Sequence, residues 1–248
     1  MVELKTREEI EKIKKSGKIL RQALELVKSK VKVGITTGEL DKIAEEFIRS
    51  KGAIPACKGY EGFPGTMCIS VNDEVVHGIP GKRKLKEGDV VSFDSCVLLD
   101  GWYSDSAITV IVGRPKTEND KKLVEVTEQA LYIGIEKAVA GNRIGDISAA
   151  VQEFVEKNGF SLVREYTGHG IGRHLHEDPS VPNYGKKGTG MILKEGMCIA
   201  IEPMVCAGDY GLYTAEDGWT AITVDHSNAA HFEHTIAITK NGPEILTK

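Results

Sequence analysis

The sequence predicts an α+β fold of two pseudo-symmetric halves, in which helices cover one face of a curved, mainly antiparallel sheet. The chain resembles itself when it is shifted by about 107 residues. In each copy, two segments of helical periodicity precede strand-like segments. We therefore predict one domain over residues 1–248, with repeats over about 8–113 and 115–240.

The helices of the two halves are predicted from apolar residues spaced three and four positions apart. The second helix of each half should end at a glycine, Gly52 or Gly159, because glycine accepts the left-handed conformation that follows many helices. Thr36 and Glu39 predict a capping box at the start of one helix. The predicted ranges are about 8–30, 37–51, 118–139 and 145–158.

The strands carry a second form of the repeat. Leu-Lys-Glu-Gly at 85–88 recurs at 193–196, and an acid, Asp94 or Glu202, stands six residues after each glycine. A histidine precedes each tetrapeptide, so both halves hold the same order of chemical groups.

Charge and cysteine content exclude several classes of protein. Lys and Arg total 32 against 36 Asp and Glu, a net charge of -4, so we expect no surface for DNA. No segment approaches the ~20 apolar residues of a membrane helix. Five cysteines without a C-x-x-C pair indicate a reducing compartment, so we expect a cytoplasmic protein.

A hairpin is predicted within residues 90–112, where strand-forming residues flank Asp100 and Gly101. With those two residues as the turn, Asp94 and Asp105 fall on the same face of neighbouring strands, ~7–8 Å apart. Two carboxylates on this mostly apolar face could bind one ligand together. As edge residues they would simply face solvent.

Segment 168–177 gathers three of the seven histidines, His169, His174 and His176, among glycines. Imidazole can ligate a metal, move a proton or donate to an oxyanion, although a surface loop could have the same composition. Glu202 follows an apolar run, and a carboxylate at the end of a buried strand needs a partner or a metal.

The charge count favours a metal centre. If the repeat brings Asp94, Asp105, Glu202 and Glu233 together, four negative charges share one pocket, and no Lys or Arg flanks them directly. Unless distant basic residues fold in, two divalent cations would balance that charge, and the ligand types suit Mn, Fe, Co or Zn. A carboxylate pair could also hydrolyse a glycoside, but that reaction needs neither four acids nor histidines.

These residues make the chain resemble the methionine aminopeptidases, whose fold of two pseudo-symmetric halves is called the pita-bread fold. The resemblance covers nearly the whole chain and is most specific at 76–80, 168–177, 201–204 and 232–235. Because an N-terminal zinc-binding extension and a long insertion before Glu202 are lacking, the chain is most similar to the short bacterial type I form.

The resemblance implies a site with two divalent metal ions per chain, Co, Mn, Fe or Zn. Asp105 and Glu233 would bridge the two ions. The implied metal ligands are Asp94, Asp105, His169, Glu202 and Glu233.

The resemblance also implies catalytic roles for His77, His176 and Glu202. Glu202 would carry a proton from water to the leaving amine. His176 would stabilise the carbonyl oxygen, and His77 would contact the nitrogen side of the scissile peptide.

A pocket for the methionine side chain is implied in the same way, and sulfur and aromatic edges suit a thioether. The implied activity removes the initiator methionine from nascent proteins and peptides, preferentially before a small second residue. We expect a monomer, and such substrates are compatible with ribosome association. The implied substrate-binding residues are His77, His176, Cys57, Tyr60, Phe63, Cys68, Leu175 and Trp219.

A few positions depart from the usual pattern of this family. His231 stands where Gln is common, Ser104 replaces a common Gly, and Ser95 and Cys96 replace aliphatic residues. None of these removes a ligand. We expect His231 to affect metal preference and pH optimum, because it lies two residues from Glu233 on the same side of a strand.

Two alternatives stay open. One is an Xaa-Pro aminopeptidase-like peptidase, although 248 residues leave no room for the additional domain that those enzymes usually carry. The other is a non-catalytic binding protein of the same fold, which would typically lack one or more ligands.

Overall fold

The computed structural model describes residues 2–248, and within them each half begins with a pair of helices and continues into strands. The predicted α+β class and the predicted helix positions are confirmed. The helices are α1 (Arg7–Lys30), α2 (Thr37–Ser50), α3 (Glu118–Lys137) and α4 (Ile144–Lys157).

Most of the strands are short, apart from two that form a long hairpin. They are β1 (Ile54–Pro55), β2 (Cys68–Val71), β3 (Glu74–Val76), β4 (Val90–Leu99), β5 (Trp102–Ile111), β6 (Ser161–Leu162), β7 (Gly168–Gly170), β8 (Glu177–Val181), β9 (Cys198–Ile201), β10 (Met204–Cys206), β11 (Leu212–Thr214), β12 (Ala221–Thr223), β13 (Ala229–His231), β14 (Glu233–Thr239) and β15 (Gly242–Ile245).

The predicted helix ends are confirmed in their details. The Thr36 hydroxyl accepts from the Glu39 backbone N–H, and the Glu39 carboxylate accepts from the Thr36 N–H, which completes the capping box of α2. After α2 and α4 the chain turns through Gly52 and Gly159, with φ of 74° and 86°. A residue with a Cβ would be strained at either glycine.

The hairpin also has the predicted register. Asp100 and Gly101 both have positive φ, 50° and 79°, as a tight turn between strands requires. Asp94 pairs with Ala107, and Cys96 pairs with Asp105. The two acids are therefore diagonal neighbours on one face of the sheet.

The main sheet runs in the order β1-β4-β5-β14-β9-β7-β8, with β2 also paired to β4 and β15 to β14. All of these pairings are antiparallel. β14 lies between β5 of the first half and β9 of the second, so it joins the two halves.

The extended backbone is interrupted at Phe232. His231 ends β13, which pairs with β10, whereas Glu233 begins β14, which pairs with β5 and β9. The expectation of one continuous strand through His231 and Glu233 is wrong. Phe232 is buried in the main core and is the single residue between the two strands.

The repeat is visible in backbone hydrogen bonds as well as in residues. Gly34 N–H donates to Leu85 O at 2.8 Å, and Gly141 N–H donates to Leu193 O at 3.0 Å. Each bond ties the loop between two helices to the segment that leads into a sheet strand. The two halves are thus built with the same internal connections.

The main core lies between the helices and the sheet. α1 packs across β4 and β5, with Leu20 and Leu24 buried against Phe93 and its neighbours. α3 and α4 pack on each other in the second half. Within residues 2–248, none of the helices has the length and apolar character needed to cross a membrane.

At Gly17, α1 packs directly against the residues after β15. A Cβ at this position would lie 2.2 Å from the backbone oxygen of Leu246. We expect Gly17→Ala to lower the free energy of unfolding by about 1–3 kcal/mol, because overpacking outweighs the ~1 kcal/mol helix-propensity gain. Lys18→Ala, an exposed neighbour, should change it by less than about 0.5 kcal/mol in the same urea titration. A stabilised Gly17→Ala protein would contradict this packing.

Candidate metal centre

A cavity of about 260 Å³ collects residues from both halves of the chain. Asp94 and Asp105 reach it from the hairpin, and Glu233 reaches it from the first position of β14. The lining includes every residue predicted for the site: Asp94, Asp105, His169, Glu202, Glu233, His77, His176, Cys57, Tyr60, Phe63, Cys68, Leu175 and Trp219.

Asp105 is held in place by the neighbouring central strand. Its backbone N–H donates to Thr235 Oγ1 at 2.9 Å, and that hydroxyl donates back to Asp105 O at 2.8 Å. The Cys96 thiol donates to Asp105 Oδ2 at 3.4 Å. The backbone and one carboxylate oxygen of Asp105 are therefore fixed, while Oδ1 has no hydrogen-bond partner within residues 2–248.

His169 presents an electron pair to the carboxylates. Its Nδ1–H donates to the Gly170 carbonyl at 2.9 Å, and burial lowers its pKa to about 4, so the ring is neutral near pH 7. Nε2 consequently carries a lone pair, and it lies 3.7 Å from Asp105 Oδ2 and 3.6 Å from Glu202 Oε1. Lone pairs that face one another repel unless a cation or a proton lies between them.

The carboxylates destabilise one another's charged forms. Burial, followed by the nearby Asp105 charge, raises the pKa of Asp94 to about 8. Burial and then Glu202 raise the pKa of Asp105 to about 7, and burial raises the pKa of Glu202 to about 8. Burial, followed by the charge of Asp105, raises the pKa of Glu233 well above its ordinary value.

The donor set fits a metal centre. Ligand atoms of Asp105, His169 and Glu233 lie within 4.8 Å of one another. Glu233 Oε1, like Asp105 Oδ1, is a buried oxygen without a hydrogen-bond partner within residues 2–248. Over that same range no Lys or Arg forms an ion pair with these acids or with Asp94 and Glu202. Divalent cations would satisfy the oxygens and neutralise the charge.

The apolar side of the cavity is made of aromatic rings and thiols. Phe63 meets Trp219 edge to face, with ring centroids 5.3 Å apart. His77 has its ring edge to face with Tyr166 at 5.0 Å, and burial lowers the pKa of His77 to about 4. This side suits an apolar side chain of a ligand rather than an ion.

His176 is exposed at its loop and also lines the cavity, which places it at the opening. Its Nδ1 lies 2.8 Å from the Tyr60 hydroxyl, and its ring meets that of His169 edge to face at 4.4 Å. Burial lowers the pKa of His176. The ring is therefore neutral near pH 7, with one nitrogen engaged by a phenol.

Some cavity residues were not predicted from the sequence. Cys96, Tyr166, Thr167 and Met204 line it together with Glu61 and Val76. Cys96 could have been found by strand alternation, since it lies two residues from Asp94 and points to the same face. Val76 and Met204 lie at the ends of two stretches that carry the family resemblance, whereas Glu61, Tyr166 and Thr167 have no local signal.

Comparison with known proteins identifies the family of this chain. A sequence description of metallopeptidase family M24 matches residues 11–240. The chain belongs to metallopeptidase family M24. This M24 chain is 54% identical over 247 residues to the methionine aminopeptidase of Clostridium perfringens, covering 100% of this chain and 99% of that protein.

Solved structures separate two branches of the fold. The methionine aminopeptidase of Thermotoga maritima superposes with a TM-score of 0.98 at 50% identity, with both chains covered completely. The prolidase of Pyrococcus horikoshii superposes at 0.78 with 25% identity, and the match covers 99% of this chain but 63% of that one. The resemblance to methionine aminopeptidases, first seen in the motifs, and the pita-bread fold are thus confirmed.

Removing the metal should make stability depend on pH. The raised pKa values mean that the folded, stripped protein keeps protons which the unfolded chain loses above about pH 4. Its melting temperature should therefore fall as pH rises from 5 to 8. Added Mn²⁺ should raise the melting temperature most at pH 8. Thermal melts of chelator-treated protein measure this. Glu233→Gln should flatten the pH slope, and a slope equal to that of the unsubstituted protein would contradict the assignment.

Proposed function

We propose that this M24 chain is a methionine aminopeptidase that removes the initiator methionine from nascent proteins and peptides, preferentially before a small second residue. The observation that carries the proposal is the buried cluster of Asp105, His169 and Glu233 beside a pocket of thiols and aromatic rings. Full-length similarity to proteins of that name supports it.

The proposal assigns two divalent ions to the carboxylate side of the cavity. Divalent ions supply a water nucleophile at neutral pH and polarise the scissile carbonyl. The identity of the ions, Co, Mn, Fe or Zn, is part of the test below. Their proposed ligands are Asp94, Asp105, His169, Glu202 and Glu233.

The apolar side is proposed to hold the methionine side chain. Thiols polarise easily and ring edges attract sulfur, so both favour a thioether over a branched alkyl chain. With the side chain seated there, the first peptide bond lies near the carboxylates. The proposed pocket residues are Cys57, Tyr60, Phe63, Cys68, Leu175 and Trp219.

Proton transfer is assigned to Glu202. It stands directly after β9, with one oxygen facing His169, and it is open to the cavity. From there its carboxylate can accept a proton from the attacking water and return it to the leaving amine. His77, which lines the same cavity, is proposed to contact the nitrogen side of the cleaved bond.

His176 is proposed to stabilise the carbonyl oxygen as negative charge develops. If the Tyr60 hydroxyl donates to Nδ1, the ring proton resides on Nε2. An Nε2–H at the cavity opening is then available as the donor to that oxygen. Tyr60 thereby determines which nitrogen of His176 can act.

We also propose a cytoplasmic location, supported by five cysteines that are all free and buried. The monomeric state and ribosome association stay predictions.

The direct test is hydrolysis of Met-Ala-Ser by chelator-stripped protein, with Mn, Fe, Co and Zn added back separately. We expect metal-restored release of methionine, and a fall of about 10²–10⁴-fold in kcat for Glu202→Gln, because a positioned acid–base group contributes that much. Met-Lys-Ser should be cleaved more slowly. Cleavage of Ala-Pro-Ala instead would place the chain with the proline-specific peptidases, and no cleavage by any loaded form would favour a binding protein.

The role of Tyr60 gives a second test. Tyr60→Phe should lower kcat by about tenfold with little change in KM, because the ring remains while the tautomer of His176 is no longer set. His176→Ala should lower kcat by about 10²–10³-fold, the usual cost of one oxyanion donor. Tyr213→Phe, at an exposed tyrosine, is the matched control. Equal kcat for Tyr60→Phe and the control would refute the assignment.

A further inference from the structure

We infer that His231 is a positioning residue for Glu202, whose Oε2 it holds through Nε2–H while Oε1 remains on the side of His169. The inference rests on the proposed metal site and concerns a residue outside the set of ligands given above.

The first observation is that the nitrogens of the buried His231 ring are not used in hydrogen bonds, while Glu202 and Asp94 are its charged neighbours. Its exposure is 1%, and neither Nδ1 nor Nε2 has a hydrogen bond within residues 2–248. Nε2 lies 3.5 Å from Glu202 Oε2. A shift of the carboxylate by about 0.5 Å brings this pair to the ordinary distance of an N–H···O bond.

The backbone of His231 is fixed from two sides. Its N–H donates to Thr109 Oγ1 at 2.9 Å, and the same hydroxyl donates to His231 O at 2.7 Å. Across the small sheet, His231 pairs with Met204, two residues after Glu202. The Thr109 hydrogen bonds and the pairing with Met204 therefore hold the His231 imidazole close to the Glu202 carboxylate.

Proton positions distinguish the two imidazoles beside Glu202. His169 uses its N–H on Gly170 O, so its Nε2 offers a lone pair to the cavity and cannot donate to Glu202. A neutral His231 also has one N–H. Placed on Nε2, that proton is available to Glu202 Oε2, which lies 3.5 Å from the nitrogen.

The two oxygens of Glu202 consequently have different surroundings. Oε1 lies beside the lone pair of His169 Nε2, and Oε2 faces the His231 Nε2–H. A hydrogen bond on one oxygen restricts rotation of the carboxylate and keeps the other oxygen directed at the ligand cluster. Loss of such an outer partner typically weakens metal binding or activity about 10–100-fold.

The experiment compares His231→Phe with His231→Gln. Phe fills the ring volume without a donor, and Gln supplies an amide N–H from the same strand position. Chelator-stripped proteins are titrated with Co²⁺ by calorimetry, and kcat and KM are measured with Met-Ala-Ser. We expect Co²⁺ binding about 10–100-fold weaker for Phe, with kcat lowered more than KM is changed. Gln should stay within about threefold of the unsubstituted protein.

Melting curves of the stripped variants establish that each one folds. If His231→Phe does not fold, His231→Leu is the second donor-free variant. Co²⁺ affinity of a folded donor-free variant equal to that of the unsubstituted protein would overturn the inference. So would a Gln variant as weak as Phe, since the imidazole itself would then be required. Unsubstituted protein that binds Co²⁺ but releases no methionine contradicts the proposed function, while the affinity ratios still decide the role of His231.

Discussion

The main constraint on this structure is that its strands bring several carboxylates into one cavity, where their negative charges repel one another. Asp94, Asp105 and Glu233 come from three separate strands, and Glu202 directly follows a fourth. Burial raises the pKa of each acid, and the charge of neighbouring acids raises it further for Asp94, Asp105 and Glu233. Such an arrangement costs stability in the absence of cations, because the ionised groups repel in a poorly solvated site. Rigid strand pairing and the Thr235–Asp105 bonds hold the acids where they are.

The two halves share the same order of elements, but their corresponding histidines differ. Both present a histidine that precedes the Leu-Lys-Glu-Gly segment, yet the surroundings of these histidines differ. His169 faces Asp105 and Glu202, whereas His77 has Tyr166 and Trp219 at its ring edges. The two corresponding histidines therefore lie on different sides of the cavity, His169 with the carboxylates and His77 with the aromatic rings. A ligand bound between them is oriented by that difference.

Local signals made much of the fold predictable from the sequence. Capping residues and glycines marked helix ends, and the Asp100-Gly101 turn set the register that aligns Asp94 with Asp105. Contacts between remote segments could not be foreseen in this way. The Tyr60–His176 bond spans 116 residues, and the change of sheet at Phe232 depends on packing that no local pattern encodes. The family resemblance supplied the site residues, whereas their partners required the structure.

The central position of β14 has a consequence for how the chain folds. Residues 233–239 pair with β5, more than a hundred residues earlier, and with β9. Until they have been synthesised, the facing edges of β5 and β9 lack their shared neighbour. Closing such long loops is entropically expensive and slow. The hairpin of the first half can form early, but the sheet is completed late, and Glu233 arrives with the strand that completes it.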